Sequence, residues 1–134
     1  MADSIVTVLL QAAAAASEQA YCPHSGFHVG AALRTPEGKV YCGCNVENAS
    51  YGLTNCAERS AVFTSVAQGD RTFTHVAIVA DGEQKPYPCG ACRQVLAEFC
   101  EPDVPVYIAS RSNLEAYESI KLGELLPKTF RLED

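Results

Sequence analysis

The stretch THVAIVADGEQKPYPCGACRQVLAEFCEPDVPVYIA, residues 74–109, decides the fold. Residues 74–80 and 104–109 are apolar runs of strand length, rich in β-branched side chains. Between them, residues 81–88 carry Asp81, Gly82, Pro86 and Pro88 and read as a loop, and residues 89–99 read as a helix opened by proline. Strand, helix and strand in that order predict a βαβ crossover and parallel pairing. Working outward, residues 56–67 predict another helix, stopped by Gly69. Residues 27–33 and 39–45 predict two strands joined as a hairpin by Thr35-Pro36-Glu37-Gly38. Residues 46–55 have no period and read as a loop of functional character. Ile5, Val8, Leu9, Ala12, Ala13, Ala16 and Ala20 recur at helical spacing. They predict a first helix capped by Asp3 or Ser4 and ended before Pro23. A weaker strand near 117–122 and a short helix close the chain. The expectation is one domain over residues 1–134, an α/β fold: a three-layer α/β/α sandwich with a mixed, mostly parallel five-stranded sheet. In such sheets ligand sites gather where strand C-termini meet helix N-termini. Cys56 and Cys89 both fall at predicted helix N-termini and could converge.

Of the 134 residues, 48% are apolar and 19% charged, which supports a buried core and excludes a disordered chain. Sixteen acidic residues against 10 basic ones give a net charge of −6. That argues against a nucleic-acid polymer as partner, because phosphate-backbone binders carry a basic stripe. No apolar run reaches the roughly 18 residues of a membrane span. Residues 5–16 end in small residues as a signal peptide would, but Asp3 stands where a signal has Lys or Arg, and Thr7 and Gln11 interrupt the run. The helix reading is favoured. Seven cysteines is an odd and high count. In a reducing cytoplasm such clustering points to metal or catalysis rather than to a disulfide scaffold.

Cys89-Gly90-Ala91-Cys92 places two thiols on one side of a helix's first turn, where backbone dipoles favour thiolates. Cys56 would add a third from the other helix end. Three thiolates leave the fourth position of a tetrahedral Zn²⁺ for water, the mark of a catalytic rather than a structural zinc. A thioredoxin-like dithiol or half a zinc ribbon would share the Cys-x-x-Cys pair. Glu58 lies two residues after Cys56. If the helix points end-on at the metal, both side chains reach it, and a glutamate beside activated water is a general base. Taken alone, Cys56-Ala57-Glu58 carries no signal, and Glu58 more often reads as a first-turn acid favoured by the helix dipole; together with Pro88-Cys89-Gly90-Ala91-Cys92 the pattern becomes specific.

Cys56-x-Glu58 followed by Pro88-Cys89-x-x-Cys92 resembles the signature of the zinc deaminases, with cysteine where that signature often begins with histidine. The short chain, Asn45-Val46-Glu47-Asn48, Phe27-His28-Val29-Gly30-Ala31-Ala32-Leu33, Cys56-Ala57-Glu58-Arg59-Ser60-Ala61, residues 88–94, and Glu124-Leu125-Leu126-Pro127 with Phe130 are similar to the small homotetrameric cytidine deaminases. These matches span residues 21–130 in the family's order. The resemblance implies hydrolytic deamination of cytidine and 2′-deoxycytidine to uridine and 2′-deoxyuridine with release of ammonia, a step of pyrimidine salvage. It implies one Zn²⁺ per subunit on Cys56, Cys89 and Cys92, with Glu58 as the catalytic proton shuttle. It further implies a nucleoside partner, a cytoplasmic location, no membrane, and a homotetramer with shared sites. A related deaminase acting on blasticidin S or guanine is the alternative, which Asn45-x-Glu47 and Phe130 count against. A non-catalytic zinc or redox module is the other, and it would need nothing of Glu58.

By the same resemblance, Asn45 and Glu47 hold the ribose 3′-hydroxyl. An amide and a carboxylate can clamp a hydroxyl by donating and accepting, although an arbitrary Asn-x-Glu is more simply a solvated strand end. The Ala57 backbone amide would bind the pyrimidine O2. Arg59 would bond the ligand sulfurs and withdraw negative charge, or else be a surface helix arginine. Phe27 would wall the pyrimidine, pack in the core, or do both. Tyr51 and Phe130 would reach a neighbouring subunit's site, while the plain alternative has Phe130 pinning the C-terminus to its own core. Cys22, Cys42, Cys44 and Cys100 read as small packing residues. His24, His28 and His75 lack ligand spacing, and His24 stands where the family commonly has tyrosine.

Overall fold

A computed structural model of the chain describes residues 2–132. Strands β3 (His75–Ala80) and β4 (Pro105–Ser110) flank helix α3 (Gly90–Phe99) and pair in parallel, Val76 with Val106 and Ile78 with Ile108. Five consecutive residues of each strand are buried, because helices cover both faces. Strands β1 (Val29–Arg34) and β2 (Val40–Cys44) form the expected hairpin. β5 (Asn113–Lys121) returns antiparallel to β4, giving the order β2-β1-β3-β4-β5. The sheet is mixed and five-stranded as expected, but it is not mostly parallel. β1 also runs antiparallel to β3, so only the β3–β4 pair is parallel. The physical reason lies in β1. Helix α2 (Ala57–Ala67) does carry the chain from β2 to a strand of the same direction, as a crossover predicts, but β1 occupies the place between them.

Alternate residues of the central strands feed two cores, one on each face of the sheet. Ala31, Leu33, Val76, Ile78, Val106 and Ile108 pack against Ala61 and Val62 of α2 and Leu96 of α3, with Leu122 and Leu125 of the short α4 (Leu122–Leu125). Ala32, Ala77, Val79, Tyr107 and Ala109 pack against Val6, Leu9, Leu10 and Ala13 of α1 (Ala2–Ser17). This is the three-layer sandwich. Two glycines set its spacing. A Cβ on Gly30 would lie 1.9 Å from the Ala13 carbonyl oxygen of α1, and one on Gly43 would lie 2.4 Å from the Ala61 nitrogen of α2. Both helices therefore sit against bare backbone.

Helix α1 begins at Ala2, so Asp3 and Ser4 belong to its first turn and do not cap it; the Asp3 side chain lies outside the described residues. It stops at Ser17 rather than running on towards Ala20. The buried Ser17 hydroxyl turns back onto the Ala14 carbonyl and accepts Arg111 Nη1, and the next amides close tighter i→i−3 turns. β5 is longer than its sequence suggests, and it lies at an edge of the sheet. Glu115, Glu118 and Lys121 blunt it and hide the usual alternation.

Candidate active site

Two helix N-termini meet at one point. Cys56 is the N-cap of α2 and Cys89 the N-cap of α3, and neither sulfur bonds to its own helix amides. Both are free to turn toward the buried Cys92 in the first turn of α3. Sγ of Cys56 lies 3.9 Å from that of Cys89, which lies 3.5 Å from that of Cys92. All three sulfurs fall within 4.8 Å of one another. Tetrahedral zinc with sulfur at about 2.3 Å sets its ligand sulfurs about 3.8 Å apart. The three thiols fit such an ion with little movement, and their soft sulfur chemistry suits it.

Charge at this point is already arranged. The Cys56 thiol is brought down to about 5, chiefly by the hydrogen bond from Cys92 and with help from Arg59, against the cost of burial. The Cys92 thiol goes up because it holds the proton that Cys56 accepts, and burial adds to this. Arg59 Nη2 donates to Cys56 Sγ at 3.3 Å, so this arginine faces the thiols and not open solvent. Its buried Nε has no hydrogen-bond partner among the described residues. Glu58, next to Ala57 in the first turn of α2, is only 5% exposed. Burial pushes its carboxyl up to about 7, and the negative charge of Cys56 adds to that. Its own backbone amide and the Cys92 thiol oppose the rise. A carboxyl that both holds and releases a proton near neutral pH beside a metal-competent cluster is equipped for acid–base work.

A second group of residues is tied to the first through backbone. Val46 exchanges hydrogen bonds with Asn55, the residue before Cys56, at 2.9 and 3.0 Å. Tyr21 binds the other side of the same segment, its N–H to the Asn45 carbonyl and its carbonyl to the Glu47 N–H. Extended pairing sends Asn45 and Glu47 to one side and the half-exposed Val46 to the other. Asn45 Nδ2 donates to the Phe27 carbonyl at 2.8 Å, and its Oδ1 accepts the Val29 N–H at 2.9 Å. One amide proton and one lone pair remain for a ligand. Glu47 is 8% exposed yet ionises more readily than an ordinary glutamate, led by the Ser25 hydroxyl bonded to it.

Phe27 is 43% exposed and outside the core. Tyr51 and Phe130 are more open still, at 75% and 67%. The Tyr51 ring makes an edge contact with His24. Phe130 is held by its carbonyl, which accepts Gln94 Nε2 at 2.9 Å, while its ring stays out of the core. Sequence reasoning missed three supports of this region. Asp81 binds the His28 backbone N–H and faces its Nδ1 at 3.0 Å. Arg93 donates to the Pro88 and Leu125 carbonyls. Ser25 bonds Glu47. None has a local signal beyond a polar residue beside a turn, since each partner lies 5 to 53 residues away.

A buried glutamate beside three converging thiols at two helix N-termini defines a zinc-dependent hydrolytic deaminase. The profile of the cytidine and deoxycytidylate deaminase zinc-binding region matches residues 4–108. The chain is 52% identical over 120 residues to a cytidine deaminase of Sporosarcina psychrophila, covering 89% of this chain and 86% of the relative. It is 49% identical over 128 residues to one of Halalkalibacterium halodurans, covering 95% of each. The crystal structure of cytidine deaminase from Burkholderia pseudomallei superposes with a TM-score of 0.87 at 48% identity, over 92% of this chain and 98% of that one. The chain belongs to the cytidine deaminase family, and its zinc-binding region carries the three-thiol cluster.

Proposed function

We propose that this chain hydrolyses cytidine and 2′-deoxycytidine to uridine and 2′-deoxyuridine, releasing ammonia. One observation carries the reading: the buried Glu58 carboxyl lies beside Cys56 and Cys92, two of three sulfurs spaced for one zinc ion. Zinc on Cys56, Cys89 and Cys92 would supply the Lewis acidity that makes water a nucleophile at neutral pH. Glu58 takes the proton that this water gives up as it adds to C4, and delivers it to N3. It then takes the proton of the newly added hydroxyl and passes it to the amino group, so that the C4–N bond breaks, the C4 carbonyl forms and ammonia leaves. Arg59, bonded to Cys56 Sγ, offsets the negative charge of three thiolates. The Ala57 amide at the start of α2 has no intrahelical acceptor and binds the pyrimidine O2. Phe27 faces the ring, and Asn45 and Glu47 take the ribose 3′-hydroxyl.

The open rings of Tyr51 and Phe130 support a homotetramer in which each reaches a neighbouring subunit's site and excludes water from it. Residues 1–134 act as one catalytic domain, supported by a single sheet with its two cores. Among the described residues no helix is long and apolar enough to cross a membrane. All seven cysteines are free thiols, which suits a reducing cytoplasm. The net charge of −6 suits a free nucleoside better than a nucleic-acid polymer. Ammonia release measured across nucleosides, nucleotides, free bases and blasticidin S tests the reading. Turnover of cytidine and deoxycytidine above the rest is expected, and zinc-loaded protein inert on both would refute it.

A further inference from the structure

Glu47 is held by a short loop rather than by water. Its Oε1 accepts the backbone N–H groups of His24 and Ser25 at 2.9 and 3.1 Å. Its Oε2 accepts the Ser25 hydroxyl, which is the only donor to that oxygen among the described residues. The same Ser25 oxygen accepts the Phe27 backbone N–H at 3.0 Å. One hydroxyl thus links the carboxylate that would bind sugar to the residue that would face the base. His24 contributes through its backbone, so that bond to Glu47 does not depend on the residue being histidine.

We propose that Ser25 is a positioning residue for nucleoside recognition, its hydroxyl orienting the Glu47 carboxylate to accept the sugar 3′-hydroxyl. The inference rests on the reading of Glu47 given above. A glutamate side chain free to rotate must be ordered at the moment of binding, which costs affinity, whereas one already held by three donors does not. A carboxylate offers about four acceptor sites. The loop takes three, which leaves one for a hydroxyl donor. A 3′-phosphate brings only acceptors and like charge, so the arrangement selects nucleosides with a free 3′-hydroxyl. The lowered pKa of Glu47 agrees with this, since a carboxylate kept ionised remains an acceptor.

The test uses the zinc-loaded enzyme, with cytidine as substrate and uridine and 3′-deoxyuridine as competitive inhibitors. Ser25→Ala should raise KM for cytidine about tenfold with kcat within about twofold, the scale of one lost hydrogen bond to a charged group. Inhibition by uridine should weaken by the same factor, and inhibition by 3′-deoxyuridine by no more than about twofold, because it has no hydroxyl there for Glu47 to accept. Ser25→Thr, which keeps the hydroxyl at an exposed position, should restore KM. Equal weakening of both inhibitors would overturn the proposal by making Ser25 a general support of the loop, and so would an unchanged KM. Wild-type enzyme that binds uridine and 3′-deoxyuridine equally well would remove the ribose clamp itself. That separate failure shows before any variant is made.

Discussion

Replacing Glu58 by Gln should abolish turnover and raise stability at once, because one buried carboxyl serves both. Glu58 is 5% exposed, and its carboxyl is pushed up to about 7 from 4.5 by burial. Gln keeps the size and some hydrogen bonding but cannot carry a proton. A positioned acid–base group contributes about 10²–10⁴ in rate, and this one serves two transfers, so kcat should fall at least about 10³-fold. Stability of the metal-free protein moves the other way. The folded state keeps the Glu58 proton until about pH 7, whereas the unfolded chain releases it near 4.5. Between those values the folded state binds more protons, so wild-type stability falls as pH rises through the window and stays lowered above it. A gap of that size corresponds to about 3 kcal/mol. Glu58→Gln escapes this loss. Near pH 8 the chelated variant should melt on the order of 10 °C above chelated wild type, and the difference should shrink towards pH 5. Ammonia release and calorimetry measure the two halves. Near-full activity with zinc bound would refute the proton role, and a melting difference independent of pH would refute the buried-acid reasoning.

Replacing Cys89 or Cys92 by Ala leaves two sulfurs of three, so zinc should fall from one per subunit towards none on dialysis against chelator; full occupancy by metal analysis would refute the assignment. Gly43→Ala puts a methyl 2.4 Å from the Ala61 nitrogen and 2.8 Å from the Ala57 carbonyl oxygen, and should cost about 1–3 kcal/mol. It should also weaken zinc retention, because α2 carries Cys56. Gly52→Ala, with nothing within 4 Å, is the control, and equal melting of the two variants would sink the packing argument. If Phe130 completes a neighbour's site, mixing Glu58→Gln subunits with Phe130→Ala subunits should recover part of the activity. Confirmed subunit exchange with no recovery would count against sharing.

What the sequence determined is what one helical turn or one loop fixes. Cys89 and Cys92 stand three residues apart, and helix geometry sets them on one side whatever the rest of the chain does. Cys56 and Glu58 were legible for the same reason, as the N-cap and first turn of a helix with clear limits. The hairpin of β1 and β2 followed from Thr35-Pro36-Glu37-Gly38, and Gly38 does adopt positive φ there. Strand order did not follow. A crossover specifies that β2 and β3 share a direction but not what lies between them, and β1 took that place through pairing partners more than 40 residues apart. Glu47 could be singled out from Asn45-Val46-Glu47, but its dependence on Ser25 could not, because the bond spans 22 residues and the loop carries no period. The burial of Glu58 likewise needed the packed helices. Local spacing is set by backbone geometry, whereas burial and distant hydrogen bonds exist only once the sheet has closed and its two faces are covered.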